Sequence, residues 1–261
     1  MKLLSKPMPH QTKAINFALS SDKVAMYMQT GAGKSLVALA CSVSRSAKRV
    51  LITSDKNNII NTWENEIFKH TIGYDVVIRP QLKDLNRLPE CCCVLCNYDY
   101  MPRHWKMLSN LPWDMWIGDE SSLIKDHRRN KTKDTYKLIK QIPVRMLLNG
   151  TPMTERIEDL WGQFKHLDDG HALGRTMTQF RMRYMVQSID GYGYVPQPSA
   201  MTRIQEDTAH LAYWMPKDAV KMPKVHRYVM KVPMTDKQKE LDISLKEKFK
   251  AVLDDEVVET N

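Results

Sequence analysis

The chain has 261 residues, 43% of them hydrophobic, enough for one large or two modest domains. Its 39 Lys and Arg against 30 Asp and Glu give a net charge of +9; residues 236–261 carry five basic and eight acidic side chains, so that tail is −3 and the rest about +12. No apolar run approaches the roughly twenty residues of a membrane span, and Met1-Lys2-Leu3-Leu4-Ser5-Lys6-Pro7 lacks the apolar core of a signal peptide. We therefore expect an intracellular, cytoplasmic protein with no membrane contact, and a basic body that favours a polyanion such as nucleic acid.

Taken in order, Ala14, Ile15, Ala18 and Leu19 recur at helical spacing after Pro7 and Pro9, which predicts a helix over Thr12 to Leu19. Gln11 falls in its first turn, and an amide offers the donor and acceptor together that suit the edge of an adenine ring. Val24 to Tyr27 reads as a buried strand, Leu36 to Ala40 as a helix, and Thr30-Gly31-Ala32-Gly33-Lys34-Ser35 lies between them. Strand, glycine turn and helix make a phosphate-binding loop. Gly31 and Gly33 let backbone N–H groups converge on one anion at the positive end of the helix. Lys34 would reach the outer phosphates of ATP, and the Ser35 hydroxyl would hold Mg2+. Met28 stands where the usual pattern begins with glycine, so the loop is a variant.

Strands are predicted at Arg49 to Thr53, Asp75 to Ile78 and Cys93 to Cys96, with a helix from Ile59 to His70. Four of the five cysteines cluster at Cys91, Cys92, Cys93 and Cys96, without a second pair at zinc-site spacing. They read as small apolar residues of a buried strand, kept reduced. The apolar run from Trp113 ends in Asp119 and Glu120. Asp119, at a strand's carboxyl end, can anchor Mg2+ through water, and Glu120 can orient and deprotonate an attacking water. Lys125 to Lys133 is either a solvated loop and helix start or a contact to a nucleic-acid backbone; Lys133 after Asn130-Lys131-Thr132 argues against a guanine-specific motif. A strand over Val144 to Leu148 ends in Asn149-Gly150-Thr151-Pro152, where Gly150, Thr151 and Pro152 could sense the γ-phosphate and pass its state on. The apolar face of the next helix, Ile157 to Phe164, reads as core. Strands and helices alternating over residues 20–165 imply an α/β fold, a mostly parallel sheet with helices on both faces.

In this fixed order the motifs resemble helicase superfamily two, and within it the Swi/Snf-type double-stranded DNA translocases in their compact bacterial and phage forms. Besides Gln11 and the loop, Thr62-Trp63-Glu64-Asn65-Glu66 is similar to Asn-Trp-x-x-Glu, and Asn97-Tyr98-Asp99 to the next short motif. Asp119 to Lys125 resembles the Asp-Glu box with its trailing Ile-Lys. Asn149 to Pro152 with Asp159-Leu160-Trp161 resembles Thr-Gly-Thr-Pro and Asp-Leu-Trp, and Gln179 to Tyr184 the Phe-Arg-x-x-Tyr segment. The departures are Ser122 for histidine, Asn149 for threonine, Glu155 for asparagine and a missing proline at Ser54-Asp55.

The resemblance implies a RecA-like P-loop NTPase lobe over residues 1–168, an inter-lobe segment over 169–235, and a helical C-terminal extension over 236–261 with Leu241, Leu245, Phe249 and Val252 on one face. It implies double-stranded DNA as partner, with backbone contacts at Lys56, Tyr98, Lys125, Arg128 and Arg129. It also implies a second RecA-like lobe carrying an arginine finger. The nearest candidate, Gly174-Arg175, has Thr178 where a second arginine is needed. We expect that lobe to come from elsewhere, in cis or in trans, and this chain alone to turn ATP over slowly. The alternative is a non-catalytic or in-trans binding module of one lobe.

Overall fold

The computed structural model describes residues 1–55, 62–81, 87–126, 130–153, 156–189, 191, 193–216, 219, 228, 230 and 232–255. In order the elements are β1 (Lys2–Leu3), α1 (Pro9–Leu19), β2 (Lys23–Tyr27), α2 (Lys34–Ser44), β3 (Arg49–Ser54), α3 (Glu64–His70), β4 (Thr71–Ile72) and β5 (Asp75–Ile78). There follow β6 (Cys92–Asn97), α4 (Tyr100–Leu108), β7 (Met115–Asp119), a 3-10 turn (Ser121–Ile124), α5 (Asn130–Ile139), β8 (Val144–Asn149) and α6 (Glu158–Asp168). The last are α7 (Met177–Tyr184), β9 (Met185–Gln187), β10 (Tyr194–Pro196), α8 (Ala200–Asp207), β11 (Ala212–Trp214) and α9 (Asp236–Asp255). The helix expected from Ile59 is described from Glu64 onward, because residues 56–61 lie outside the described set.

Seven strands form one sheet in the order β11-β2-β8-β7-β3-β6-β5, and every neighbouring pair is parallel. A parallel sheet buried on both faces needs apolar residues at successive positions, which is why these strands read as continuous runs. The pleat then sorts them. Val50, Ile52, Cys93, Leu95, Met115 and Ile117 pack with Ala14, Val37 and Leu39 on one face, while Leu51, Val94, Cys96 and Trp116 pack with Leu160 and Phe164 on the other. Cys93 and Cys96 are core residues of β6, and burial pushes the Cys96 thiol up to about 12, far from a reactive thiolate. Gly118 lies beside the Trp116 indole: a Cβ there would come within 2.5 Å of its ring.

The expected boundary after residue 168 is not a break in the structure. Met1–Val220 is one unit and Lys221–Asn261 another. Trp161 Nε1 donates to the Gly174 carbonyl at 2.7 Å, and β11 joins the sheet edge with Ala212 opposite Ala25 and Trp214 opposite Tyr27. Nothing in so short a strand as Ala212-Tyr213-Trp214 announces that pairing locally. β9 and β10 pair as an antiparallel hairpin, with Gly191 at φ +76 and Gly193 at φ +94. In the second unit, α9 exposes Leu241 and Leu245.

Arg145, 3% exposed at the start of β8, fixes α6 against the sheet. Its Nη1 donates to the carbonyls of His166 and Leu167, both at 3.2 Å, and to Asp169 Oδ1 at 3.1 Å; Nε donates to the Ile142 carbonyl and Nη2 to that of Lys140. The carbonyls of the last turn of a helix have no partners within it, and one guanidinium supplies them. Arg145→Ala should lower unfolding free energy by about 3–5 kcal/mol, as for removal of one side of a buried ion pair, measured by urea denaturation; a loss under about 1 kcal/mol would contradict this role.

Candidate functional site

Strand order decides where the site lies. Because β8 separates β2 from β7, the loop after β2, the carboxylates ending β7 and the turn after β8 meet at one carboxyl edge, the place where open α/β sheets bind ligands. Gly31 and Gly33 have φ +82 and +78, conformations that L side chains avoid, and α2 begins at Lys34. The loop is braced from below: Met28 N–H donates to the Asn149 carbonyl and Ala32 N–H to that of Gln29, both at 3.1 Å. Lys34 Nζ donates to the Met28 carbonyl at 3.3 Å, which holds the ammonium over the loop. The loop itself is thus a backbone cradle for an anion with one lysine at its mouth.

Gln11 is 7% exposed and sits against this loop. Its Oε1 accepts from Met8 N–H at 2.8 Å and its Nε2 donates to the Ala32 carbonyl at 3.1 Å, where His10 Nε2 also lies at 3.2 Å. A Cβ on Gly33 would stand 2.2 Å from the Gln11 amide nitrogen. Gln11 therefore clasps the loop, a bracing role that its sequence position did not announce.

Asp119 and Glu120 occupy different environments. Asp119 is 9% exposed; its Oδ2 accepts from Ser54 Oγ at 3.0 Å and Trp63 Nε1 at 2.9 Å, and its Oδ1 from Glu120 N–H at 3.0 Å. Glu120 is half-buried and held at φ +49, ψ +53, a left-handed conformation costing a non-glycine residue about 1–2 kcal/mol. Burial and the neighbouring Asp119 charge raise its carboxyl pKa, and the Lys34 ammonium pulls it back only in part. A carboxyl raised from its usual range is a stronger base once ionised. The oxygen donors fit magnesium, a hard cation that takes one or two protein ligands and completes its shell with water and phosphate oxygens. Ser35 is the second residue of α2, beside the loop, and Asp119 Oδ1 accepts from the Glu120 backbone.

The turn after β8 closes the arrangement. A Cβ on Gly150 would stand 3.1 Å from Thr30 Oγ1 and 3.6 Å from Lys34 Nζ, so Gly150 rides on the phosphate loop. Asn149 Oδ1 accepts from Thr151 N–H at 2.8 Å, and Gln163 Nε2 donates to the Pro152 carbonyl at 2.6 Å. The structure therefore brings Gln11, Thr30 to Ser35, Asp119, Glu120 and Gly150 to Pro152 together.

The five expected DNA contacts fare differently. Lys56, Arg128 and Arg129 lie outside the described residues. Tyr98 is corrected: it is 3% exposed, and its hydroxyl donates to the Asp119 carbonyl at 2.8 Å, because its register at the end of β6 turns it under β7. Lys125 is described: its Nζ pairs with Asp159 at 3.3 Å and ties the 3-10 turn to α6. Sequence reasoning missed Ser54 and Gln163, and gave Trp63 a place without a role. A cavity of about 680 Å3 lined by Ile157, Arg181 and Tyr194 contains none of the site residues.

A family model for the SNF2-related domain matches residues 10–248. The chain belongs to the SNF2-related family. The human "DNA excision repair protein ERCC-6-like" is 32% identical over 141 residues, 49% of this chain and 11% of that protein. A Caenorhabditis elegans homologue of "SWI/SNF-related matrix-associated actin-dependent regulator of chromatin subfamily A-like protein 1" is 25% identical over 70% of this chain and 27% of its own length. "Putative protein p41" of Acyrthosiphon pisum secondary endosymbiont phage 1 is 24% identical over 68% of this chain and 42% of its own. This SNF2-related chain thus spans less than half the length of each. The Sulfolobus solfataricus SWI2/SNF2 ATPase core, solved in complex with dsDNA, superposes with a TM-score of 0.66 at 18% identity, over 81% of this chain and 44% of that one. The same core domain in a second structure gives 0.65 at 17% identity, over 84% and 46%. Both share the RecA-like α/β fold.

Glu120 also supplies a test of the electrostatics. With its carboxyl pKa raised, the folded chain binds that proton more tightly than the unfolded chain, so stability is lost as pH rises through the folded value. Glu120→Gln should therefore melt at a higher temperature than the parent near pH 7, with the gap closing below about pH 4, where both folded and unfolded carboxyls are protonated. A gap that widens in acid would reverse the assignment.

Proposed function

We propose that this chain is the ATP-binding motor lobe of an ATP-dependent double-stranded DNA translocase, completed by a second RecA-like lobe in cis or in trans. The observation that carries the reading is the convergence at one sheet edge of a phosphate cradle, a held aspartate, a raised glutamate and a turn that touches the cradle. Membership of the SNF2-related family supports it, as does the fold shared with an ATPase core solved on duplex DNA. A pure binding module would need none of Lys34, Asp119 and Glu120.

In this reading the loop N–H groups and Lys34 bind the phosphates of ATP. Gln11 holds the loop and presents the remaining capacity of its amide to the adenine edge. Ser35 and Asp119 hold Mg2+, which when bound neutralises charge on the phosphates. Asp119, fixed by Ser54 and Trp63, keeps its position without help from the ligand. Glu120 orients a water and takes its proton. Gly150, Thr151 and Pro152 report the state of the phosphates. DNA is tracked by its phosphates, with Lys56, Arg128 and Arg129 as the candidate contacts. A nucleic-acid-bound protein in the cytoplasm of a bacterial or phage-infected cell fits the phage relative.

Lys34→Ala should weaken binding of a fluorescent ATP analogue at least tenfold. Glu120→Gln should bind it with parental affinity and lose the remaining turnover, measured as phosphate release with and without duplex DNA. Parental turnover in Glu120→Gln would remove the assigned base. Turnover by the chain alone should lie several orders of magnitude below that of two-lobed relatives, the cost of a missing arginine finger.

A further inference from the structure

Between the residue that follows Glu120 and the last residue of the turn on the phosphate loop stands one fully buried side chain, Gln163 of α6. Its Oε1 accepts from Ser121 Oγ at 2.6 Å. Its Nε2 donates to the Pro152 carbonyl at 2.6 Å and to the Asp159 carbonyl at 3.1 Å. Ser121 Oγ in turn accepts from Asn149 Nδ2 at 3.3 Å, and Asn149 Oδ1 accepts from Thr151 N–H at 2.8 Å. The polarity is consistent around the whole circuit. Reversing the Gln163 amide would set its oxygen against two carbonyl oxygens, so its orientation is fixed. Only an amide offers an acceptor at one end and two donors at the other.

The helix carrying this side chain is itself immobilised against the 3-10 turn. A Cβ on Gly162 would lie 2.0 Å from the Lys125 carbonyl oxygen, so the backbones are in contact there. The Lys125–Asp159 ion pair at 3.3 Å and the Arg145 cap at the other end of α6 complete the platform. A motion of the turn at Gly150, which lies beside Thr30 and Lys34, must therefore either carry Gln163 and Ser121 with it or break the circuit.

We propose that Gln163 is a positioning residue for ATP turnover: it locks the Glu120–Ser121 segment to the Gly150–Pro152 turn, so that the base is in register only when that turn is seated on the phosphate loop. The proposal rests on the reading of Glu120 as base. Gln163 touches neither nucleotide nor water; it acts through Ser121 and Pro152. Its loss leaves the phosphate cradle intact and releases the base.

The test compares the full chain with Gln163→Leu, Ser121→Ala and the double variant, with Glu120→Gln in parallel. Gln163→Leu should lower kcat by about ten- to a hundredfold, the usual scale for a displaced catalytic group, while nucleotide affinity stays within twofold. The double variant should be no slower than the worse single, since both changes cut one circuit. A readout independent of turnover is amide hydrogen exchange with a non-hydrolysable ATP analogue. In the parent the analogue should protect both Gly150–Thr151 and residues 120–124; in Gln163→Leu protection should persist at the turn and vanish at 120–124. Ser121→Ala should do the same, which keeps the test alive should Gln163→Leu fold poorly. Equal protection of both segments in all variants, or multiplicative losses in the double variant, would overturn the coupling. Parental turnover in Glu120→Gln would instead overturn the base on which it rests. A parental kcat in Gln163→Leu beside an inactive Glu120→Gln would overturn this proposal alone.

Discussion

The carboxylate of Asp119 is the point on which the site depends. Its two oxygens accept from Ser54 at the end of β3, from Trp63 just ahead of α3 and from the backbone of Glu120, while its own carbonyl accepts from Tyr98 at the end of β6. Three residues distant in sequence, Ser54, Trp63 and Tyr98, are thereby held to the last residue of one strand. The carboxylate has three donors, two on one oxygen and one on the other. Hydrogen bonds to an ionised acceptor are worth about 1.5–3 kcal/mol each, so the arrangement contributes to the fold as well as to the site.

Glu120, one residue on, is treated in the opposite way. Burial and Asp119 disfavour its charge, and the backbone is forced into a left-handed turn to place it. Adjacent carboxylates in unlike environments divide the work: one is fixed by its donors, the other is held ready to take a proton. The Lys34 ammonium limits the rise in Glu120, so the phosphate loop and the base influence each other before any ligand is considered.

How legible this was in the sequence follows from what each feature rests on. The strands of the sheet were readable because double burial makes them unbroken apolar runs; Val24 to Tyr27 and Val144 to Leu148 are examples. The phosphate loop was readable because its glycines and lysine are local and ordered. The strand Ala212–Trp214 was not, because three residues carry no period and only pairing with β2 makes them a strand. Tyr98 was assigned to DNA from its motif, but one residue of register decides whether a side chain at a strand end faces out or in, and here it faces in. Gln163 sat among apolar neighbours on a helix read as core. Its meaning comes from Ser121 and Pro152, respectively 42 and 11 residues distant, and no local pattern holds that information.

The order β2-β8-β7 gives these particulars a common cause. Had β2 and β7 been neighbours, the phosphate loop and the carboxylates could meet directly and nothing would need to lie between them. With β8 interposed, the turn at Asn149 to Pro152 necessarily sits where the loop and the base come closest. A glycine fits there because a side chain would crowd Thr30, and a polar residue suits position 149 because the Asn149 amide reaches both the turn and Ser121. Asparagine meets that need where the family more often has threonine, since it supplies an acceptor to Thr151 N–H and a donor to Ser121 at once. The departure at this position is thus compensated within the circuit: the longer amide spans the gap to Ser121, and Gln163 continues it to Pro152.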